Sequence, residues 1–142
     1  MRVLAVDVGE RRIGLAISDV SGTLARPLRT LTVRNAGDGV EQVAAEIARL
    51  HAEEDGLSTV VVGLPIRLDG SPSDQTSRVA AFIDALKMRA CVPILTADER
   101  LTSREAESLL AERSRHWRQR KARLDAVAAA VILQDYLESH RA

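Results

Sequence analysis

Aromatic side chains are nearly missing from this chain: Phe82, Trp117 and Tyr136 are the only ones. With so little stacking surface, a nucleic acid partner must be held mainly through its phosphate backbone. Cysteine is just as scarce. Cys91 stands alone, which excludes an intramolecular disulfide and a cysteine-based zinc cluster. His51, His116 and His140 are scattered and give no zinc pattern. No run of about 18 apolar residues occurs, and the N-terminus enters directly into an apolar strand, so neither a membrane span nor a cleaved signal peptide is expected. A cytoplasmic location fits this composition. Repeats, low-complexity segments and an interdomain linker are also absent, so residues 1–142 read as one domain, large enough to bury a real core.

A formal net charge of zero conceals an asymmetry. Residues 1–99 hold 11 basic and 14 acidic side chains, whereas residues 100–142 hold 9 basic and 6 acidic ones. The basic excess is concentrated in Arg113, Arg115, Arg118, Arg120, Lys121 and Arg123, with no acid between Glu112 and Asp125. This distribution, unlike the net charge, points to a polyanion partner.

The chain opens on Val3-Leu4-Ala5-Val6-Asp7-Val8-Gly9, apolar at both parities like a strand covered on both faces. A short Gly9–Arg12 connection leads to a second strand with Ile13, Leu15 and Ile17 on one face and Gly14, Ala16 and Ser18 on the other, an antiparallel hairpin. A third strand is expected over Leu28–Val33. A helix follows, capped at Asp38 with Glu41 and carrying Val40, Val43, Ala44, Ile47 and Ala48. Thr59–Gly63 is a buried strand, and Leu64–Ser73 a loop. Val79, Phe82, Ile83 and Leu86 mark a second helix, and Val92–Ala97 a strand that starts near Pro93. Thr102 and Glu105 open a helix with Ala106, Leu109 and Leu110; the last helix runs from about Leu124 to Leu137. The order β-β-β-α-β-α-β-α-α predicts an α/β fold: a mixed five-stranded sheet, three antiparallel strands then two parallel, with helices on both faces.

Asp7 is the conspicuous residue. A carboxylate buried at the end of so apolar a strand costs several kcal/mol, on the order usually found, unless a cation or hydrogen bonds compensate it. Capping of the Gly9–Arg12 turn would explain it structurally. Two other carboxylates stand where they can join it. Glu99 follows the last strand and Asp125 begins the last helix, so strands running toward one sheet edge would let all three converge. Ala128 and Ala129, three and four residues beyond Asp125, are small enough to permit close approach, as are Ala5, Gly14 and Ala16 on the sheet. Taken singly, Glu99 is equally well read as a partner of Arg100 or Arg104, and Asp125 as a first-turn acid favoured by the helix dipole. Together with Asp7 they favour a site. Three convergent carboxylates repel one another unless Mg²⁺ or Mn²⁺ relieves them, and two such ions roughly 3.5–4 Å apart drive phosphodiester hydrolysis.

Four ordered motifs then carry a resemblance. Asp7-Val-Gly-Glu-Arg-Arg-Ile-Gly-Leu-Ala, Val62-Gly-Leu-Pro with Leu68-Asp-Gly-Ser, Asp98-Glu-Arg-Leu-Thr-Ser, and Leu124-Asp-Ala-Val-Ala-Ala-Ala-Val-Ile-Leu-Gln are similar to the YqgF (RuvX-like) nucleases from about residue 2 to 137. The resemblance implies an RNase H-like fold. It also implies metal-dependent nuclease chemistry with Asp7, Glu99 and Asp125 as catalytic, metal-holding acids, associated with maturation of the 5′ end of precursor 16S rRNA and with Holliday-junction resolution. Arg11 stands where the family commonly has Lys, and Ala126-Val127 where Ile or Ala often follows the acid; neither touches the triad.

Arg11, Arg12 and Arg100 flank the acids, and Arg113, Arg115, Arg118, Arg120 and Lys121 are read as a mobile phosphate clamp beside them. Trp117 within that segment is placed to stack on an unpaired base. Solvated turns and a solvated charge run are the plainer alternatives. The expected function is cleavage of structured RNA, pre-16S rRNA foremost, by a monomer or homodimer with no membrane partner. Alternatives are a dimeric Holliday-junction resolvase or a non-catalytic RNA-binding ribosome-assembly factor. An ATP-binding protein of the actin and sugar-kinase type shares the opening Asp-x-Gly hairpin but needs a second domain.

Overall fold

The computed structural model describes residues 1–67, 69–98 and 117–140, and over 117–124 it describes the backbone. Five strands, β1 (Arg2–Val8), β2 (Arg12–Ser18), β3 (Ala25–Thr32), β4 (Leu57–Leu64) and β5 (Ile94–Asp98), form a sheet of spatial order β3-β2-β1-β4-β5. β1 pairs antiparallel with β2, and β2 with β3; β1 pairs parallel with β4, and β4 with β5. This is the mixed sheet that the hairpin and the later β-α-β alternation call for.

The alternation along β1 and β2 decides which helix covers which face. Leu4, Val6, Ile13, Leu15 and Ile17 pack with Val43, Ile47 and Leu50 of α1 (Ala36–Ala52) and with Phe82, Ile83 and Leu86 of α2 (Asp74–Lys87). Val3, Ala5, Ala16 and Val61 turn to the opposite face and meet Ala129, Ile132, Leu133 and Leu137 of α3 (Trp117–Ser139). Helices therefore cover both faces. The α3 face of the sheet is built of smaller residues, so this helix lies close to the strands.

Several boundaries differ from expectation. β3 begins at Ala25, three residues before Leu28, because Pro27 is tolerated on an edge strand where no ladder donor is needed; the register shifts there, between Leu15 and Ala16 of its partner. β5 runs Ile94–Asp98 and not Val92–Ala97, since Pro93 precedes the ladder. The cap of α1 is Asn35, whose side chain accepts from the Asp38 N–H at 2.9 Å. Asp38 lies inside the first turn and its carboxylate accepts from the Arg34 N–H instead. In α1, Leu50 joins the buried face, whereas Ala48 is exposed. The helix expected from Thr102 through Leu110 lies outside the described residues, as does Leu68. Among the described residues, no helix is long and apolar enough to cross a membrane.

Candidate functional site

Because β1, β4 and β5 are parallel, their carboxyl ends open on one edge of the sheet. The chain leaves β1 to one side for β2 and later returns on its other side as β4, so this edge lies at a switch point of the topology, where crevices form in α/β sheets. Asp7 sits at that end of β1. It is half-buried, not buried as its apolar surroundings in sequence suggest, because the strand ends one residue later. Asp98, the last residue of β5, pairs with Leu64 at the same edge. Glu99 lies outside the described residues.

Directly across the ladder from Asp7 is Gly14, and residues opposed in this way share a face. A β-carbon on Gly14 would lie 1.9 Å from the Asp125 carbonyl oxygen and 2.8 Å from the Ala126 nitrogen. The backbone of α3 thus rests on β2 at the one position without a side chain, bringing Asp125 beside the partner of Asp7. Ala128 and Ala129 are buried beneath the same helix, which matches the small-residue contact the sequence suggested. Asp125 is the ninth residue of α3, however, and not in its first turn. Its charge is therefore not accounted for by the helix dipole, which acts within the terminal turn.

Arg12 precedes Gly14 by two residues and projects to the same face. Its Nε donates to Asp125 Oδ2 at 2.8 Å, with the side chains 34% and 24% exposed, so the pair is screened but not dry. The turn before it is tight. The Gly9 N–H donates to the Arg12 carbonyl at 2.9 Å, and a β-carbon on Gly9 would fall 2.6 Å from that oxygen. Arg11 is exposed at the tip, its carbonyl accepting from the Val33 N–H at 2.8 Å.

In its described part, residues 117–123, the basic segment is not the loop that the sequence suggested. From Trp117 on it is helical, so Trp117, Arg118, Arg120 and Lys121 belong to the first turns of α3, and about 12 Å of helix leads from Trp117 to Asp125. Arg100, Arg113 and Arg115 lie outside the described residues. The helical signal was present, since Arg118-Gln-Arg-Lys-Ala-Arg-Leu124 consists entirely of strong helix formers. The Arg12–Asp125 pair, by contrast, spans 113 positions and left no local trace.

Both aspartates offer hard oxygen donors and are open enough to leave room for water ligands, a combination that suits Mg²⁺ or Mn²⁺. One or two carboxylates completed by water and substrate phosphate is a usual set for Mg²⁺. Among the described residues no three His, Cys, Asp or Glu side chains gather into a ligand cluster.

A family model described as RuvX, Holliday junction resolvase, matches residues 1–139. A Chloroflexus aurantiacus protein, provisionally named a pre-16S rRNA nuclease, is 44% identical over 139 residues, spanning 98% of this chain and 88% of that one. An Anaeromyxobacter protein of the same name is 39% identical over 142 residues, the whole of both chains. Among solved structures, T. thermophilus RuvC in complex with a Holliday junction substrate aligns with a TM-score of 0.54 and 18% identity, covering 99% of this chain and 96% of that one, a likeness of fold. A match running from the first strand through the last helix, on a RuvC-type RNase H-like sheet, makes this chain a member of the RuvX family of nucleases.

Proposed function

We propose that this chain is a divalent-metal-dependent nuclease that hydrolyses phosphodiester bonds in structured RNA, acting in the cytoplasm at the 5′ end of pre-16S rRNA. One observation carries the reading: Gly14 stands opposite Asp7 and directly beneath the Asp125 backbone, at the open ends of the parallel strands. Asp7 and Asp125, with Glu99 as third acid, would hold Mg²⁺ or Mn²⁺, two ions in this reading. When bound, such ions supply an activated water and stabilise the leaving oxygen.

The remaining roles fall to the cations. Arg11 and Arg12 lie on the hairpin beside the acids and take phosphates next to the cut. Arg118, Arg120 and Lys121 stand within one turn of one another in α3, and the first described turn of that helix holds no acid, so like charges repel there. A polyanion relieves that repulsion, and Arg100, Arg113 and Arg115 extend the same basic tract. Trp117 stacks on an unpaired base. The names of the Chloroflexus and Anaeromyxobacter relatives favour RNA as the substrate. The description of the family model favours a second reading, resolution of branched DNA by a homodimer whose two sites make symmetric cuts.

Purified protein, Asp7→Asn and Asp125→Asn are incubated with 5′-extended 16S precursor RNA and with a four-way DNA junction, in Mg²⁺, Mn²⁺ or EDTA. Cutting that requires metal and falls at least about a hundredfold in either variant is expected. The substrate that is cut chooses between the two readings. Binding without cutting in every metal overturns both and leaves an RNA-binding assembly factor.

A further inference from the structure

Arg12 touches a carboxylate assigned to the metal and carries a charge assigned to the nucleic acid. Its guanidinium carries five N–H donors, and the bond to Asp125 uses the one on Nε. Among the described residues that side chain makes no second hydrogen bond or ion pair. The strand holds it there: Arg12 starts β2 behind the tight Gly9 turn, on the face where α3 rests on Gly14. Asp125 is fixed from the other side, because its own backbone makes that contact. The two charges are thus pressed together by the packing of α3 on β2.

Resting on the nuclease reading, we propose that Arg12 is a positioning residue that exchanges Asp125 for a substrate phosphate and thereby couples metal binding to nucleic acid binding. The chemistry leaves little alternative to competition. A divalent cation on the Asp125 carboxylate and a guanidinium bonded to Oδ2 repel each other at short range, where screening is weak. A phosphate offers the same guanidinium two oxygens in its preferred forked geometry, which a single Nε contact to Asp125 does not provide. Phosphate arrival draws Arg12 off the carboxylate and frees it for the metal; by linkage, metal on Asp125 frees Arg12 for phosphate. The hairpin cation is then both a phosphate contact and a restraint on metal loading without substrate.

The test measures binding, apart from turnover. Mn²⁺ affinity of the protein without nucleic acid is measured by calorimetry, and affinity for a labelled 5′-extended 16S precursor RNA by anisotropy in EDTA, for wild type, Arg12→Gln and Arg12→Lys. Arg12→Gln is expected to bind Mn²⁺ roughly three- to tenfold more tightly and the RNA more weakly, shifts of opposite sign. Arg12→Lys retains the charge and stays near wild type for Mn²⁺. In an Asp125→Asn background the effect of Arg12→Gln on Mn²⁺ disappears, as a direct coupling requires. Unchanged or weaker Mn²⁺ binding by Arg12→Gln overturns the exchange, even where the wild type cuts RNA and the nuclease reading stands. Opposite shifts in a protein that cuts nothing uphold the exchange and sink the nuclease instead. Absence of any Mn²⁺ binding by the wild type overturns both.

Discussion

Asp19 closes the β2–β3 turn with one carboxylate. It accepts from the backbone N–H groups of Thr23 and Leu24 at 2.8 and 3.0 Å, and from the Ser21 hydroxyl, around a Gly22 in the left-handed region at φ 70°. The Ser21 hydroxyl, followed by the Leu24 and Thr23 amides, holds this carboxyl at a pKa of about 2, below its ordinary 3.8. A depressed carboxylate stabilises the fold above the unfolded value and ceases to do so as pH falls through the folded one. The stability advantage of wild type over Asp19→Asn is therefore expected to be constant above about pH 4 and to vanish as pH falls through about 2. Urea midpoints for both proteins between pH 2 and 6 test this, and a gap that persists at the acid end refutes the assignment. The same scale shows what single residues concealed. Asp7 was conspicuous because a charge interrupts an apolar run, but its half-exposure depends on the strand ending at Val8. Arg12 read as a turn cation, and only the fold reveals Asp125 at 2.8 Å from it.

Elements were legible where their periodicity was strong. The buried stripe Val79, Phe82, Ile83 and Leu86 of α2 and the alternation of β2 are faithful to the sequence, because each is dictated by one face that must leave water. Their ends were less so. Asn35 caps α1 a turn ahead of the acid-x-x-acid pattern at Asp38, since glycines at 37 and 39 disguise a helical turn. The helical state of residues 117–123 was hidden because their charge obscured a run of helix formers. Its docking on β2 is the decisive contact between elements, and Gly14→Ala tests it. With a β-carbon 1.9 Å from the Asp125 oxygen, the helix backbone must shift, since no flexible side chain can yield. The variant is expected to lose about 3 kcal/mol or more in urea unfolding, with nuclease activity falling further than stability alone explains. Ala at this site without loss of either would mean that α3 stands farther off than the contact implies.

Across the whole molecule, the two faces of the sheet are unequal. Leu4, Val6, Leu15 and Ile17 meet large side chains of two helices on one side, while Val3, Ala5, Ala16 and Val61 meet α3 alone among the described helices on the other. That thinner core depends on a few residues: Leu133 is fully buried in it, and Gln134 ties the helix to the β3 entry by accepting from the Ala25 N–H at 2.9 Å and donating to the Thr23 carbonyl at 3.1 Å. Leu133→Ala is expected to cost about 3 kcal/mol, and to speed hydrogen exchange in α3 before α1 or α2, because it empties the layer that only α3 covers. Uniform acceleration over all three helices would show one cooperative core instead. Dependence on a divalent metal accompanies family membership, and activity compared in Mg²⁺, Mn²⁺ and EDTA identifies the ion.

By itself the sequence determined the order of the described strands and helices, the mixed sheet, and the residue types that a metal-dependent nuclease uses, because alternation, helical spacing and the four motifs are local properties of the chain. Tertiary structure decided what distance in sequence conceals. Parallel pairing of β1, β4 and β5 sends their carboxyl ends to one edge; the missing side chain of Gly14 lets α3 settle on the sheet; and that settling sets Asp125 beside Arg12 and the partner of Asp7. The contacts of α3 with β2 join residues more than a hundred positions apart, and their geometry follows from how two faces pack, which no local pattern encodes.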